Sequence, residues 1–280
     1  MYQIIKKELL HPTIARYEIE APLIAKNAQP GQFIILRTDS NGERIPITIH
    51  DYDRQRGTVS IIVQRVGATT RRLFEMNAGD CLQDFAGPLG RPTNTEGRKK
   101  VCIVGGGVGC AIAYPVAKQF QLVGTETHAV IGFRNKDFVI LEKEFSAACG
   151  LLSVCTDDGS YGRAGLVTGA LEALIQSGHQ YDEVFAIGPM IMMKSVCELT
   201  EAYGIPTTVS MNPIMIDGTG MCGGCRLNVG GEIKFACVDG PDFDGHKVDW
   251  DTSMKRNRFY REFEAQKYEE ACNLFDQAEV

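Results

Sequence analysis

Between Ile216 and Gly240 the sequence IDGTGMCGGCRLNVGGEIKFACVDG carries three cysteines at ligand-like spacing. Cys222 and Cys225 form a C-x2-C pair, and Cys237 follows after eleven intervening residues. Zinc, a redox dithiol and an iron–sulfur cluster all use such pairs. Structural zinc takes four nitrogen or sulfur donors, and the only histidine after Cys237 is His246, so a Cys3His site is one alternative. A redox C-x-x-C normally opens a helix after a strand, whereas the RLNVGGEIKFACV that follows reads as a hairpin. The plant-type [2Fe–2S] pattern is C-x4-C-x2-C with a distant fourth cysteine. Counting that interval back from Cys222 lands on Asp217, giving D-x4-C-x2-C-x11-C. The favoured reading is therefore a [2Fe–2S] cluster on Asp217, Cys222, Cys225 and Cys237, with the carboxylate as a harder donor that ferric iron accepts. Gly218, Gly220, Gly223 and Gly224 let the backbone wrap closely and aim N–H groups at sulfur. The alternative for Asp217 is an Asx turn before Gly218.

A second constellation lies in VCIVGGGVGCAIAYPVAKQF, where Gly105, Gly106, Gly107 and Gly109 join an apolar run to a helical one. Such a turn brings a ligand close to the backbone and offers it a helix N-terminus, which suits the pyrophosphate of a dinucleotide. Two more turns fall at later strand ends, Asp157–Asp158–Gly159–Ser160 and Gly188–Pro189–Met190. Ligands of open parallel sheets bind at those ends, so Asp157, Gly188, Pro189 and Met190 join the candidate cofactor residues; a solvated turn is the alternative for the aspartates. The next strand ends on Arg134 rather than on an acid, which leaves NAD against NADP open. A third set is Arg44, Pro46 and Thr48 on one strand, with Gly67, Thr69 and Thr70 opening a short helix. The glycine–threonine start is a phosphate cradle or simply an N-cap.

The elements that must position these groups fall into blocks. Residues 1–96 alternate short β-type runs with turns, as in IARYEIEAP, GQFIILR, IPITIHDY and TVSIIVQRV, the pattern of an antiparallel barrel. Residues 97–209 alternate buried strands with helices, which requires a doubly wound parallel sheet. The cluster segment spans 210–245, and a charged helical tail 246–280. The chain has 280 residues, 44% hydrophobic and 23% charged, with net charge −6. That balance gives a globular core and no basic block for nucleic acid. No window approaches the roughly 18 apolar residues of a membrane span, and the first residues lack a signal peptide's apolar core, so a cytoplasmic location is expected. Of ten cysteines, Cys81, Cys102, Cys110, Cys149, Cys155, Cys197 and Cys272 read as buried free thiols.

The order of RIPIT, VGATTRRL, GPLG (87–90) and strand–GGGVG–helix resembles the ferredoxin-reductase superfamily of FAD- and NAD(P)H-binding proteins. The resemblance implies that Arg44 neutralises the FAD pyrophosphate, that Thr48 tunes the flavin near N5, and that Pro46, Gly67, Thr69 and Thr70 complete the FAD site. It places the nicotinamide cofactor, NAD(H) with NADP(H) not excluded, at Gly105 to Gly109 and Gly188 to Met190. One departure stands out: the family spaces arginine and hydroxyl three apart, but Arg44 and Thr48 are four apart. Either the strand bulges or another arginine makes the contact. Within the superfamily, DGTGMCGGCR and FACVDGP resemble the small subunit of NADH-dependent reduced ferredoxin:NADP+ oxidoreductases, which bifurcate electrons and carry one aspartate with three cysteines. The electron-transfer subunit of dihydroorotate dehydrogenase B, with four cysteines, is the alternative. The first implies hydride exchange between NAD(H) and FAD and single electrons through the cluster. It also implies a larger flavin and iron–sulfur partner with its own NADP(H) site, and ferredoxin reached through the complex.

Overall fold

The computed structural model describes residues 1–259 and 262–266. Its first part is built from eight strands and two helices: β1 (Tyr2–His11), β2 (Ile14–Glu20), α1 (Pro22–Asn27), β3 (Phe33–Arg37), β4 (Ile45–Thr48), β5 (Asp51–Asp53), β6 (Thr58–Gln64), α2 (Ala68–Glu75), β7 (Cys81–Leu82) and β8 (Asp84–Leu89). They form two antiparallel sheets, β5-β6-β2-β1-β7 and β4-β3-β8. The period-two pattern explains the arrangement: Ala15, Tyr17 and Ile19 of β2 are fully buried while Arg16 and Glu18 between them are not. The inward set meets Ile34, Leu36, Val59, Ile61 and Phe85 in one core.

The second part alternates strands and helices: β9 (Lys100–Gly106), α3 (Cys110–Leu122), β10 (Glu126–Phe133), α4 (Glu142–Ala148), β11 (Leu151–Thr156), β12 (Arg163–Ala164), α5 (Val167–Gln176), β13 (Glu183–Ile187), α6 (Met190–Ala202) and β14 (Thr207–Ser210). The parallel order is β12-β11-β10-β9-β13-β14. β9 lies at the centre, buried from Val101 to Gly106, because helices cover both faces of such a sheet. The strand order reverses direction at β9, so the glycine loop after it opens at the switch point where these folds bind ligands.

The last part is β15 (Arg226–Val229) and β16 (Glu232–Phe235), an antiparallel hairpin turned by Gly230–Gly231, then α7 (Ala236–Asp239), β17 (Asp242–Asp244) and α8 (Trp250–Asn257). β17 pairs antiparallel with β14 and becomes the edge of the nucleotide-type sheet. The cysteine segment is thus sewn into its neighbour rather than appended to it. A half-buried carboxylate secures the seam: the Thr93 hydroxyl donates to Asp242 Oδ2 at 2.5 Å. The helical tail expected over 246–280 begins as α8, and its residues 260, 261 and 267–280 lie outside the described residues.

Among the thiols expected to be buried, Cys102, Cys110, Cys155 and Cys197 are buried, and Cys149 is half-buried. Cys81 is exposed. It stands on the two-residue edge strand β7, where Leu82 turns inward and its neighbour must turn out. Cys272 lies outside the described residues.

Candidate functional site

The cysteine loop runs between the barrel and the nucleotide-type sheet. Cys225 and Cys237, 1% and 2% exposed, lie with their sulfurs 3.3 Å apart, one preceding β15 and the other in the single turn of α7. The hairpin folds back and joins them, sealed by Ala236 N–H donating to the Cys225 carbonyl. Burial pushes the Cys237 thiol up to about 12, and the neighbouring Cys225 adds to that. Cys222 is exposed on the outer turn of the loop, its sulfur accepting from Gly224 N–H at 3.5 Å. Asp217 is half-buried. Its Oδ1 accepts from Thr219 N–H at 3.0 Å and its Oδ2 from Cys222 N–H at 2.8 Å, which hold its carboxyl below the usual range. The Asx turn and the candidate ligand are thus one residue, since a carboxylate that caps two amides keeps lone pairs for a third partner. Gly218 has φ of +77°, and a side chain there would meet Leu89 Cδ1 at 2.6 Å, so only glycine lets the loop lie this close to the barrel.

Among the described residues, no group of three or more His, Cys, Asp or Glu side chains is drawn into a closed cage. The structure brings Cys225 and Cys237 together and keeps Asp217 and Cys222 beside them on one loop. His246, the ligand of the zinc alternative, is engaged elsewhere, with Nε2 at 3.1 Å from the Thr200 hydroxyl. Soft thiolates on a compact glycine loop with N–H groups turned to sulfur fit an iron–sulfur cluster.

At the nucleotide end, the four glycines play different parts. A side chain at Gly109 would lie 2.7 Å from Gly188 Cα and one at Gly106 would run into Met192, so these two let the two loops pack, while one at Gly105 would lie 2.9 Å from Cys110 Sγ at the start of α3. Gly107 has φ of +56° and open space where a side chain would stand. The backbone is therefore open to a ligand at this position. Pro189 caps α6 and Met190 begins it. Asp157 is exposed just after β11, and Asp158 beside it closes a turn on Ser160 N–H. Arg134 follows β10 and is exposed.

On the barrel, β3 and β4 pair without a register shift from Ile45 to Thr48, so no bulge absorbs the four-residue spacing. An even spacing puts Arg44, Pro46 and Thr48 on one side of the chain, with Ile45 and Ile47 packed against the core. Arg44 Nε donates to the Ile216 carbonyl at 3.1 Å. At α2, the Thr70 hydroxyl accepts from Gly67 N–H at 2.9 Å and Val66 N–H at 3.0 Å, as a cap does. The Thr69 hydroxyl donates to Glu43 at 3.2 Å, and Gly67 faces open space. The open backbone at Gly67 fits a phosphate-bearing group, which would have to displace Glu43 from the Thr69 hydroxyl.

Several contacts leave almost no signature in the residue pattern. His50 is buried where barrel meets α3, its Nδ1–H donating to the Ala111 carbonyl at 2.7 Å, and burial lowers its pKa to about 4. Arg16 to Glu144 (3.0 Å) and Lys118 to Asp51 (3.0 Å) flank it across the same junction. Arg91, Arg226 and Arg256 reach carbonyls of the cysteine segment. A histidine two residues past Thr48 was the one visible hint.

Residues 212–249 match the iron-sulfur cluster binding domain of dihydroorotate dehydrogenase B. An uncharacterized protein in adh 3'region of Clostridium beijerinckii is 51% identical, over 93% of this chain and 91% of its own. A dihydroorotate dehydrogenase B (NAD(+)), electron transfer subunit homolog of Thermotoga maritima is 45% identical, over 95% and 94%. A chain from the structure of the NADH-dependent reduced ferredoxin-NADP oxidoreductase, solved for insight into flavin-based electron bifurcation, superposes with TM-score 0.92 at 42% identity, covering 96% of this chain and 97% of its own. The chain therefore belongs to the family of dihydroorotate dehydrogenase B-type electron-transfer subunits, within the ferredoxin-reductase superfamily.

Proposed function

We propose that this chain is the electron-transfer subunit of an NADH-dependent reduced ferredoxin:NADP+ oxidoreductase, an NAD(P)H-linked flavin iron–sulfur oxidoreductase. FAD occupies the barrel face, the nicotinamide cofactor the glycine loop, and a [2Fe–2S] cluster the 217–237 segment. The flavin supplies the exchange between a two-electron nicotinamide carrier and one-electron iron–sulfur chemistry. The chain's own residues do the holding. Thr48 would border the flavin ring, Gly67 with Thr69 and Thr70 would hold phosphate at the start of α2, and Arg44 with Pro46 borders the same face. Gly107 admits the pyrophosphate of NAD(H), flanked by Gly105, Gly106 and Gly109, while Gly188, Pro189, Met190 and Asp157 rim the opening. Asp217, Cys222, Cys225 and Cys237 hold the cluster.

The observation that carries this reading is the buried pair of sulfurs, Cys225 and Cys237, on a loop held to the barrel at one end and built into the nucleotide-type sheet at the other. A one-electron centre there lies between the two halves of the molecule. The partner is a larger subunit with its own flavin, iron–sulfur clusters and NADP(H) site, through which ferredoxin is served, and the complex works in the cytoplasm. Among the described residues no helix is long and apolar enough to cross a membrane.

A second reading makes dihydroorotate dehydrogenase B the complex, as the names of several relatives suggest. Asp217, where that subunit carries a cysteine, favours the first. Affinity purification of the chain from its source identifies the partner. A large flavin iron–sulfur subunit, and NADP+ reduction that needs both NADH and reduced ferredoxin, supports the first reading; orotate reduction by the purified complex assigns the second.

A further inference from the structure

The cysteine segment is ringed by four arginines from four separate stretches of the chain, and each donates to a main-chain carbonyl beside one candidate ligand. Arg44, before β4, bonds Ile216, next to Asp217, at 3.1 Å. Arg226, opening β15, bonds Gly223 at 3.3 Å, and Arg256, on α8, bonds Gly224 at 3.3 Å. Both of those carbonyls lie between Cys222 and Cys225. Arg91, after β8, bonds Val238, next to Cys237, at 3.1 Å.

Two of the four do more than brace the loop. The peptide joining Gly223 to Gly224 receives Arg226 at its oxygen, and its own N–H points to Cys222 Sγ at 3.5 Å. A cation on a carbonyl draws electron density through the amide and makes the N–H a stronger donor. The next peptide receives Arg256 in the same way, and Arg256 is half-buried, so water and salt screen its charge less than that of exposed Arg226 and Arg91. Hydrogen bonds to the sulfurs and net local charge are the levers by which a protein sets a cluster's potential.

Resting on the iron–sulfur reading above, we infer that Arg226 and Arg256 are positioning residues that raise the reduction potential of the cluster, by polarising the Gly223 and Gly224 peptides and by opposing the negative charge gained on reduction. Arg226 acts through the Cys222 sulfur, and Arg256 chiefly through its charge. Arg91, 69% exposed beside Asp239, contributes least.

The test is an EPR-monitored redox titration of the anaerobically purified complex carrying Arg226→Gln, Arg256→Gln, both together, Arg226→Lys, Arg256→Lys or Arg91→Gln. Arg226 is exposed, so its replacement opens no core and the folded state survives. The midpoint potential is expected to fall in each of the first two variants and to fall by about their sum in the double. The lysine variants should recover part of the shift, and Arg91→Gln should move it least. Wild-type potential in Arg226→Gln and Arg256→Gln with an intact cluster signal overturns the inference while leaving the cluster reading in place. Lysine variants shifted as far as the glutamine ones overturn the charge argument. A wild-type chain without any [2Fe–2S] signal overturns the reading beneath it.

Discussion

Arg44 Nε and the Ile216 carbonyl lie 3.1 Å apart, so the arginine that leads into the strand of Thr48 also holds the residue preceding Asp217. One hydrogen bond across 172 residues of sequence thus ties the β4 face of the barrel to the cysteine loop, alongside the packing of Gly218 on Leu89. Replacing Arg44 by Ala should therefore act on both. FAD retention is expected to fall and the loop around Asp217 to exchange its amide hydrogens faster, as native-state hydrogen exchange would read. Loss of FAD with unchanged protection at residues 217–222 would show that the two are not coupled through this contact.

Asp217 separates ligand from turn in a series of variants. Asp217→Ala removes both the carboxylate and its two backbone contacts, and is expected to lose the cluster while sparing FAD. Asp217→Asn keeps a carbonyl oxygen for one amide but carries no charge for iron. Ligation predicts that Asn is nearly as damaging as Ala and that Cys restores a cluster with an altered EPR signal. A full cluster in the Asn variant would leave Asp217 as a turn residue only.

Gly218→Ala is expected to destabilise the loop by about 1–3 kcal/mol, the range for forcing a side chain into the left-handed region, with the contact to Leu89 Cδ1 added. Urea unfolding of the purified chain measures it. An unchanged midpoint would show that the barrel yields to the extra methyl.

Much of this was legible from residue types. The period-two runs of the barrel, the glycine loop after β9 and the Gly-Gly hairpin each depend on local pattern, and local pattern determines them. Spacing alone singled out the four candidate ligands. What stayed hidden is what the tertiary structure decides. Nothing in EIKFACVDGPDFD indicates that β17 completes a sheet begun at Lys100, because a three-residue edge strand has no period to read. The capping role of Thr70 and the ligand reading of the same helix start were equal from sequence, since one hydroxyl serves both. Arginines that clamp a loop from distant positions leave no spacing to count.

His50 gives the pH dependence. Its ring is buried and neutral, with folded pKa about 4 against 6.5 for the free side chain. The unfolded chain binds the proton more readily between those values, so stability is complete above pH 6.5 and is lost as pH falls toward 4. The difference corresponds to about 3 kcal/mol. His50→Gln should remove this slope from the variant, so that the wild-type minus variant stability difference changes by about 3 kcal/mol over that window, measured by denaturant unfolding at a series of pH values. Asp242, with pKa raised by burial to about 6, slopes the other way, stability falling as pH rises toward 6, and is common to both proteins and cancels in the difference. A difference curve independent of pH would place the titration elsewhere.

Thr70→Ala should cost about 1 kcal/mol through loss of the cap on Gly67 and Val66, while Thr70→Ser, which keeps the hydroxyl, should restore both stability and FAD binding. FAD bound as tightly to the Ala variant as to the wild type would limit Thr70 to the cap.

Metal and flavin content of the anaerobically purified chain, read with its visible and EPR spectra, tests the central claim most directly. One FAD per chain, two irons with two acid-labile sulfides, and an EPR signal that appears on reduction are expected. Stoichiometric zinc without flavin or iron–sulfur absorption would contradict it.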